Sequence, residues 1–161
     1  MNLNIAMRKI PIEESMFMDA FERDVDFEQY SQAACLELEG GKVVWIFDED
    51  DDADVWAGIP APENAALRKL VEAGPERYLE IPGRDHAEHH DILREFLNSN
   101  WTDGEVLWAK AHDAYSGSIG GWKEEIDDRG PVNSYYQFRE RRIKELAEAF
   151  LNEHGMHSVW R

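Results

Sequence analysis

The sequence predicts an α+β fold: a small antiparallel sheet, made of one hairpin and one short strand, packed against several helices. Three observations carry this. Residues 33–39 (AACLELE) alternate apolar and charged side chains, then meet Gly40-Gly41 and the β-branched, aromatic run 42–47 (KVVWIF); that is a hairpin signature. Residues 77–81 (RYLEI) repeat the strand character before Pro82-Gly83. Almost everything else with a pattern has helical spacing. A sheet of three short strands is not stable bare, so helices must supply its second layer.

The elements follow in order. Residues 11–23 (PIEESMFMDAFER) predict a first helix. Pro11 suits a first turn, Glu13 and Glu14 suit the positive end of its dipole, and Ile12, Met16, Phe17, Ala20 and Phe21 recur at helical intervals. In the hairpin Ala34, Leu36 and Leu38 face one way and Glu37 and Glu39 the other; Gly40-Gly41 supplies the positive φ angles of a two-residue turn. Cys35, lying inside the first hairpin strand, is predicted to be a small buried hydrophobe. Residues 48–62 form an acidic loop, because a block reading DEDDDAD repels itself and Pro60 and Pro62 follow it. Residues 63–73 are helical until Gly74-Pro75 stop them.

The second half predicts helices over 85–98, with Ile92, Leu93, Phe96 and Leu97 as a stripe, and over 103–115. A glycine-rich joint at 116–121 follows. Gly130-Pro131 opens a last helix to about Glu153, with Tyr136, Ile143, Leu146, Ala147 and Phe150 as its core face; Gly155 stops it and 156–161 form a tail. The 161 residues fit one domain over 1–161, with no repeat or linker dividing it.

Charge bounds the function. Seventeen Lys+Arg stand against 34 Asp+Glu, a net −17. Residues 131–161 hold five basic groups (Arg139, Arg141, Arg142, Lys144, Arg161) and four glutamates, a balance of +1, so the other 130 residues carry −18. Such a field repels nucleic acid and anionic membranes and attracts basic proteins and cations. A single cysteine excludes an internal disulfide and a multi-cysteine zinc site. The first ten residues lack the apolar stretch of a signal peptide, and the longest aliphatic–aromatic run is residues 43–47, which implies a cytoplasmic protein without membrane spans.

The acidic block (Asp48, Glu49, Asp50, Asp51, Asp52, Asp54) places Asp50 and Asp52 at the third and fifth positions of a calcium loop. It then puts Ala53 where a sharp turn wants glycine and Ile59 where a bidentate Glu is needed; docking of a basic partner suits the block better. His86 and His90 are four apart and share a helix face, so both can reach one metal ion. The surrounding DHAEHHD matches neither zinc-protease pattern, and the deaminase pattern it half resembles needs cysteines that are missing. No cofactor is implied. The segment GSIGGWK (117–123) is not a phosphate loop, since Trp122 precedes Lys123 and Glu124 follows it. With Tyr136 and Arg139, Trp122 and Lys123 form the candidate ligand-binding set, and no catalytic residue is assigned.

Three motifs taken in order, LELEGGKVVWI (36–46), ERYLEIP (76–82) and GSIGGWK (117–123) with YYQFRE (135–140), resemble uncharacterised protein family 158 of the UPF series, a set of small bacterial proteins. The resemblance spans about residues 34–155. It implies an order of elements and no activity. The family's glycine motif usually continues with two arginines, and Gly120 and Gly121 stand there in this chain; Lys123 and Arg139 remain as members of any anion site. The functional expectation is a non-enzymatic binding or regulatory module engaging a basic partner. Its alternatives are a small-molecule-binding protein or enzyme with a site near the glycine joint and last helix, and an immunity-like protein that occludes a basic toxin.

Overall fold

The structure, a computed structural model, describes residues 8–26, 33–46, 61–99, 111, 114–126 and 129–161. In chain order the elements are β1 (Arg8–Ile12), α1 (Glu14–Glu22), β2 (Ala33–Glu37), β3 (Val43–Ile46), α2 (Ala61–Ala73), a 3-10 turn (Pro75–Arg77), β4 (Tyr78–Glu80), α3 (His86–Ser99), α4 (Ile119–Glu125), α5 (Arg129–Glu153) and β5 (Met156–Trp160). The chain divides into two compact units, residues 1–84 with 147–161, and residues 85–146.

The first unit contains both sheets. The antiparallel sheet has the order β3-β2-β4, the hairpin and short strand that the sequence predicts. β2 is its central strand, and Ala34, Cys35 and Leu36 are buried in succession. A strand covered on both faces shows no apolar–polar alternation, so Cys35 is buried although it is out of phase with Ala34 and Leu36. The hairpin turn is wider than two residues. Glu37 N–H donates to Lys42 O and Gly41 N–H to Glu37 O, both at 2.8 Å, which encloses residues 38–41. Of the two glycines only Gly41 takes a positive φ, 72°. A Cβ there would lie 1.8 Å from the Pro11 carbonyl oxygen, so this position needs glycine for its backbone angle and for the close approach of β1.

The second sheet is a parallel pair, β1 with β5, in register from Arg8↔Met156 to Ile12↔Trp160. It corrects two expectations. The first helix begins at Glu14, because residues 8–12 are extended with Ile10 and Ile12 buried and Pro11 exposed. Residues 156–160 are a strand and not a tail. The ladder uses the backbone of alternate residues: Arg8 N–H to Gly155 O, Arg161 N–H to Ile12 O, and Glu14 N–H to Arg161 O. Pro11 lies in the opposite phase, on the unpaired side of the strand, where its missing N–H costs no ladder bond. Gly155, at φ 76°, ends α5 as expected and reverses the chain into β5. The core includes Ile10, Ile12, Phe17, Phe21, Leu36 and Ile81, and Trp160 lies against Phe17 with ring centres 5.7 Å apart.

The second unit, as far as it is described, is helical. Asp85 caps α3 by accepting the Glu88 N–H at 2.7 Å. Ser118 caps α4 in the same way through the Gly121 N–H at 3.0 Å. The glycine joint therefore contributes Gly120 and Gly121 to a helix, and only Gly117, at φ 104°, takes a turn conformation. The core gathers Leu93, Phe96 and Leu97 of α3, Trp122 of α4 and Tyr135 of α5 around Ala111 and Ala114, which with Tyr115 are the described residues of the predicted 103–115 helix. Along α5 the buried positions are Pro131, Tyr135, Ile143, Ala147 and Leu151, a four-residue recurrence. Tyr135 thus takes the core place expected of Tyr136, which is 46% exposed. No described helix is long and apolar enough to cross a membrane.

Candidate functional site

Three polar groupings stand out among the described residues, and each belongs wholly to one unit. The first lies along α3. Residues four apart project from one helix face, and here the His86 Nε2 and His90 Nε2 atoms are 2.8 Å apart with ring centres at 4.3 Å and planes at 70°. His86 is exposed, whereas His90 is only 6% exposed. The second nitrogen of His90, Nδ1, is hydrogen-bonded to the Tyr115 hydroxyl, and the two rings lie 5.8 Å apart. Arg94, one turn further along α3, lies 5.7 Å over the Tyr115 ring and is paired with Asp91 at 3.0 Å. The arrangement is a chain, Tyr115–His90–His86, running from the flank of the unit's core to its surface. His89, the middle histidine, turns inward and is buried.

The second grouping contains the residues expected to bind a ligand. Lys123 Nζ donates to the Tyr136 hydroxyl at 2.9 Å and lies 5.0 Å from the Tyr136 ring centre, so these two are brought together at the surface. Trp122 is not beside them. It is 1% exposed, its indole N–H donates to Ala111 O at 2.7 Å, and it meets Phe96 and Tyr135 edge-on. The buried indole has its one donor satisfied. Arg139 is half-buried and close enough to Tyr135 to act on its phenol electrostatically. Burial pushes the Tyr135 phenol above its ordinary range, Arg139 opposes that, and Tyr136 and Tyr115 add to it.

The third grouping is in the strand-bearing unit. Arg23 Nη1 donates to Ala20 O at 2.6 Å and Ile81 O at 3.0 Å, and its guanidinium lies 5.6 Å from the Trp45 ring centre. Arg84 lies 4.1 Å over Phe21. Its segment joins the end of α1 through Arg84 N–H to Arg23 O at 2.8 Å and Val25 N–H to Arg84 O at 3.0 Å. Burial lowers the Arg23 pKa, with Glu80 opposing and Arg84 reinforcing that shift. The neighbouring Cys35 thiol is pushed up, mainly by burial and further by Glu80, against the pull of Arg23. A thiol held protonated is a poor nucleophile.

The acidic block Asp48, Glu49, Asp50, Asp51, Asp52 and Asp54 lies outside the described residues. Among those residues no group of three or more His, Cys, Asp or Glu side chains could hold a metal ion. Sequence reasoning found the His86/His90 pair from its spacing. It missed Tyr115, which has no motif of its own and stands 25 residues from His90. It also missed Arg23 and Arg84, which stand far apart in sequence and meet only through the parallel bridge between Asp24 and Arg84.

No protein-family model matches this chain, and no curated protein or solved structure does so either.

Proposed function

We propose that the protein is a non-enzymatic binding or regulatory module of the bacterial cytosol, allied to uncharacterised family 158 of the UPF series, and that it engages a basic partner protein. The observation that supports this is the distribution of charge: −18 over 130 residues against +1 over residues 131–161. A surface field of that sign accelerates encounter with a cationic protein and discourages association with polyanions. The six carboxylates at Asp48, Glu49, Asp50, Asp51, Asp52 and Asp54 form the densest part of it. The groupings described above fit a binder, since the Cys35 thiol is held protonated and Lys123 is engaged with Tyr136.

The test is affinity capture from bacterial cytosol with the whole chain, at low salt and at about 1 M salt, where the Debye length falls to about 3 Å. A variant with all six carboxylates changed to their amides serves as the control. A basic protein should be retained at low salt by the wild type, released at high salt, and retained far less by the amide variant. Capture that is equal for both proteins and indifferent to salt overturns the reading.

A further inference from the structure

We propose that His86 and His90 form a two-imidazole site for a late first-row divalent cation (copper(II), nickel(II) or zinc(II)), with Tyr115 as the residue that positions His90. The geometry of the pair points to this. A collinear N–H···N bond 2.8 Å long would set the ring centres about 5 Å apart, whereas they lie at 4.3 Å. The two rings are therefore bent away from a collinear hydrogen bond. Two imidazole nitrogens held at about 2.1 Å from one ion at a right angle stand about 3 Å apart, close to the 2.8 Å seen here. Adjacent ligands stand at a right angle in the tetragonal sites of copper(II) and nickel(II); zinc(II) requires the pair to open toward the tetrahedral angle. Water completes the coordination on the exposed His86 side.

Tyr115 decides which nitrogen of His90 is available. When its hydroxyl oxygen accepts from Nδ1–H, Nε2 presents a lone pair and can ligate. When its O–H instead donates to Nδ1, Nε2 carries the proton and hydrogen-bonds His86. A ligating histidine held through its other nitrogen is oriented and made more basic by that partner. On metal binding the His90 proton moves from Nε2 to Nδ1, where the Tyr115 oxygen accepts it, so that both Nε2 lone pairs are available to the cation and neither imidazole changes its charge. The net −17 of the chain adds a general attraction for cations, and this pair adds the nitrogen ligands that distinguish copper(II) from magnesium or calcium.

The whole chain, stripped with a chelator, is titrated with copper(II) alone in the presence of glycine as a weak competitor, and the bound ion is observed by electron paramagnetic resonance. One copper(II) per chain with coupling to two nitrogens is the expected result. His86→Ala should weaken binding by more than the roughly 10–100-fold that loss of an outer-sphere partner costs. His154→Ala should bind normally and melt like the wild type, and circular dichroism should show that His86→Ala, at an exposed position, keeps the wild-type helix content although it loses the hydrogen bond to His90. Tyr115→Phe should weaken binding about 10-fold while keeping the two-nitrogen signature. An all-oxygen spectrum, or a His86→Ala protein that binds as tightly as the wild type, overturns the site. Unchanged affinity in Tyr115→Phe overturns the positioning role. Failure of the capture experiment above touches neither result, because the site does not depend on a protein partner.

Discussion

The strand-bearing unit and the helical unit are held together in different ways. In the first, β1 near one end of the chain pairs with β5 at the other, and the hairpin turn presses Gly41 against the Pro11 carbonyl. Its integrity depends on backbone pairing between residues about 150 positions apart, which becomes favourable only after a large loop has been closed. In the second, α3, α4 and α5 gather Phe96, Trp122 and Tyr135 with ring centres 5.5 to 6.3 Å apart. Its elements are neighbours in sequence, and its core coheres through aromatic packing and the buried hydrogen bond from Trp122 to Ala111. The first unit should therefore fail when an end of the chain is lost, and the second when a single large ring is lost.

The largest effect is expected from removing residues 156–161. Deletion takes from β1 its one pairing partner among the described strands and lifts Trp160 from Phe17. Ile10 and Ile12, whose burial is worth about 1.5–3 kcal/mol each, then lose part of their cover. Against a net domain stability of about 5–15 kcal/mol, amides of β1 and the hairpin should lose most of their protection in hydrogen exchange, while those of α3 keep more of theirs. Equal loss in both places would break the comparison. Trp122→Ala should do the reverse at a cost of about 3–5 kcal/mol, exposing α3 and the first half of α5 to exchange before β1 and β2.

That difference also explains what could be read from the sequence. The β2–β3 hairpin, the third strand, the proline and glycine stops and the α3 stripe are local patterns, and each appears within a residue or two of its expected place. The β1–β5 pair is not local. Ile10-Pro11-Ile12 has the same composition in a strand as at the start of a helix, and only a partner almost the whole chain away decides between them. Tyr135 and Tyr136 are adjacent and chemically alike, so the inward one is selected by the four-residue recurrence from Pro131 to Leu151, which shares Ile143 and Ala147 with the stripe the sequence suggests and departs from it at Tyr135 and Leu151. The site divides similarly. The His86/His90 pair follows from helical spacing alone, but the hydroxyl that orients His90 arrives from a residue whose position depends on tertiary packing. The meeting of Lys123 with Tyr136 was also not legible, because a seven-residue helix is too short to carry a periodic signal.

The smallest effect separates the units by pH. Tyr135 is 2% exposed in the helical core, and burial raises its phenol pKa over the opposition of Arg139. An unfolded tyrosine ionises near pH 10. Below that value both states keep the proton, and this group contributes no pH dependence. As the pH rises past it the unfolded chain releases the proton first and the folded chain retains it, so stability falls until the folded pKa is passed. The decline attributable to one such group is at most about 1.4 kcal/mol per pH unit, and Arg139 reduces it. Tyr135→Phe has no phenol to titrate, so urea midpoints measured at pH 8, 10 and 11 should fall less steeply for the variant than for the wild type. The difference should be seen by a probe in α3 or α4 and be weak for one in the β2–β3 hairpin, where the corresponding buried acid is the Cys35 thiol. If the two proteins lose stability in parallel, Tyr135 is accessible to base in the folded state, and the aromatic cluster is not the closed core that distinguishes the helical unit.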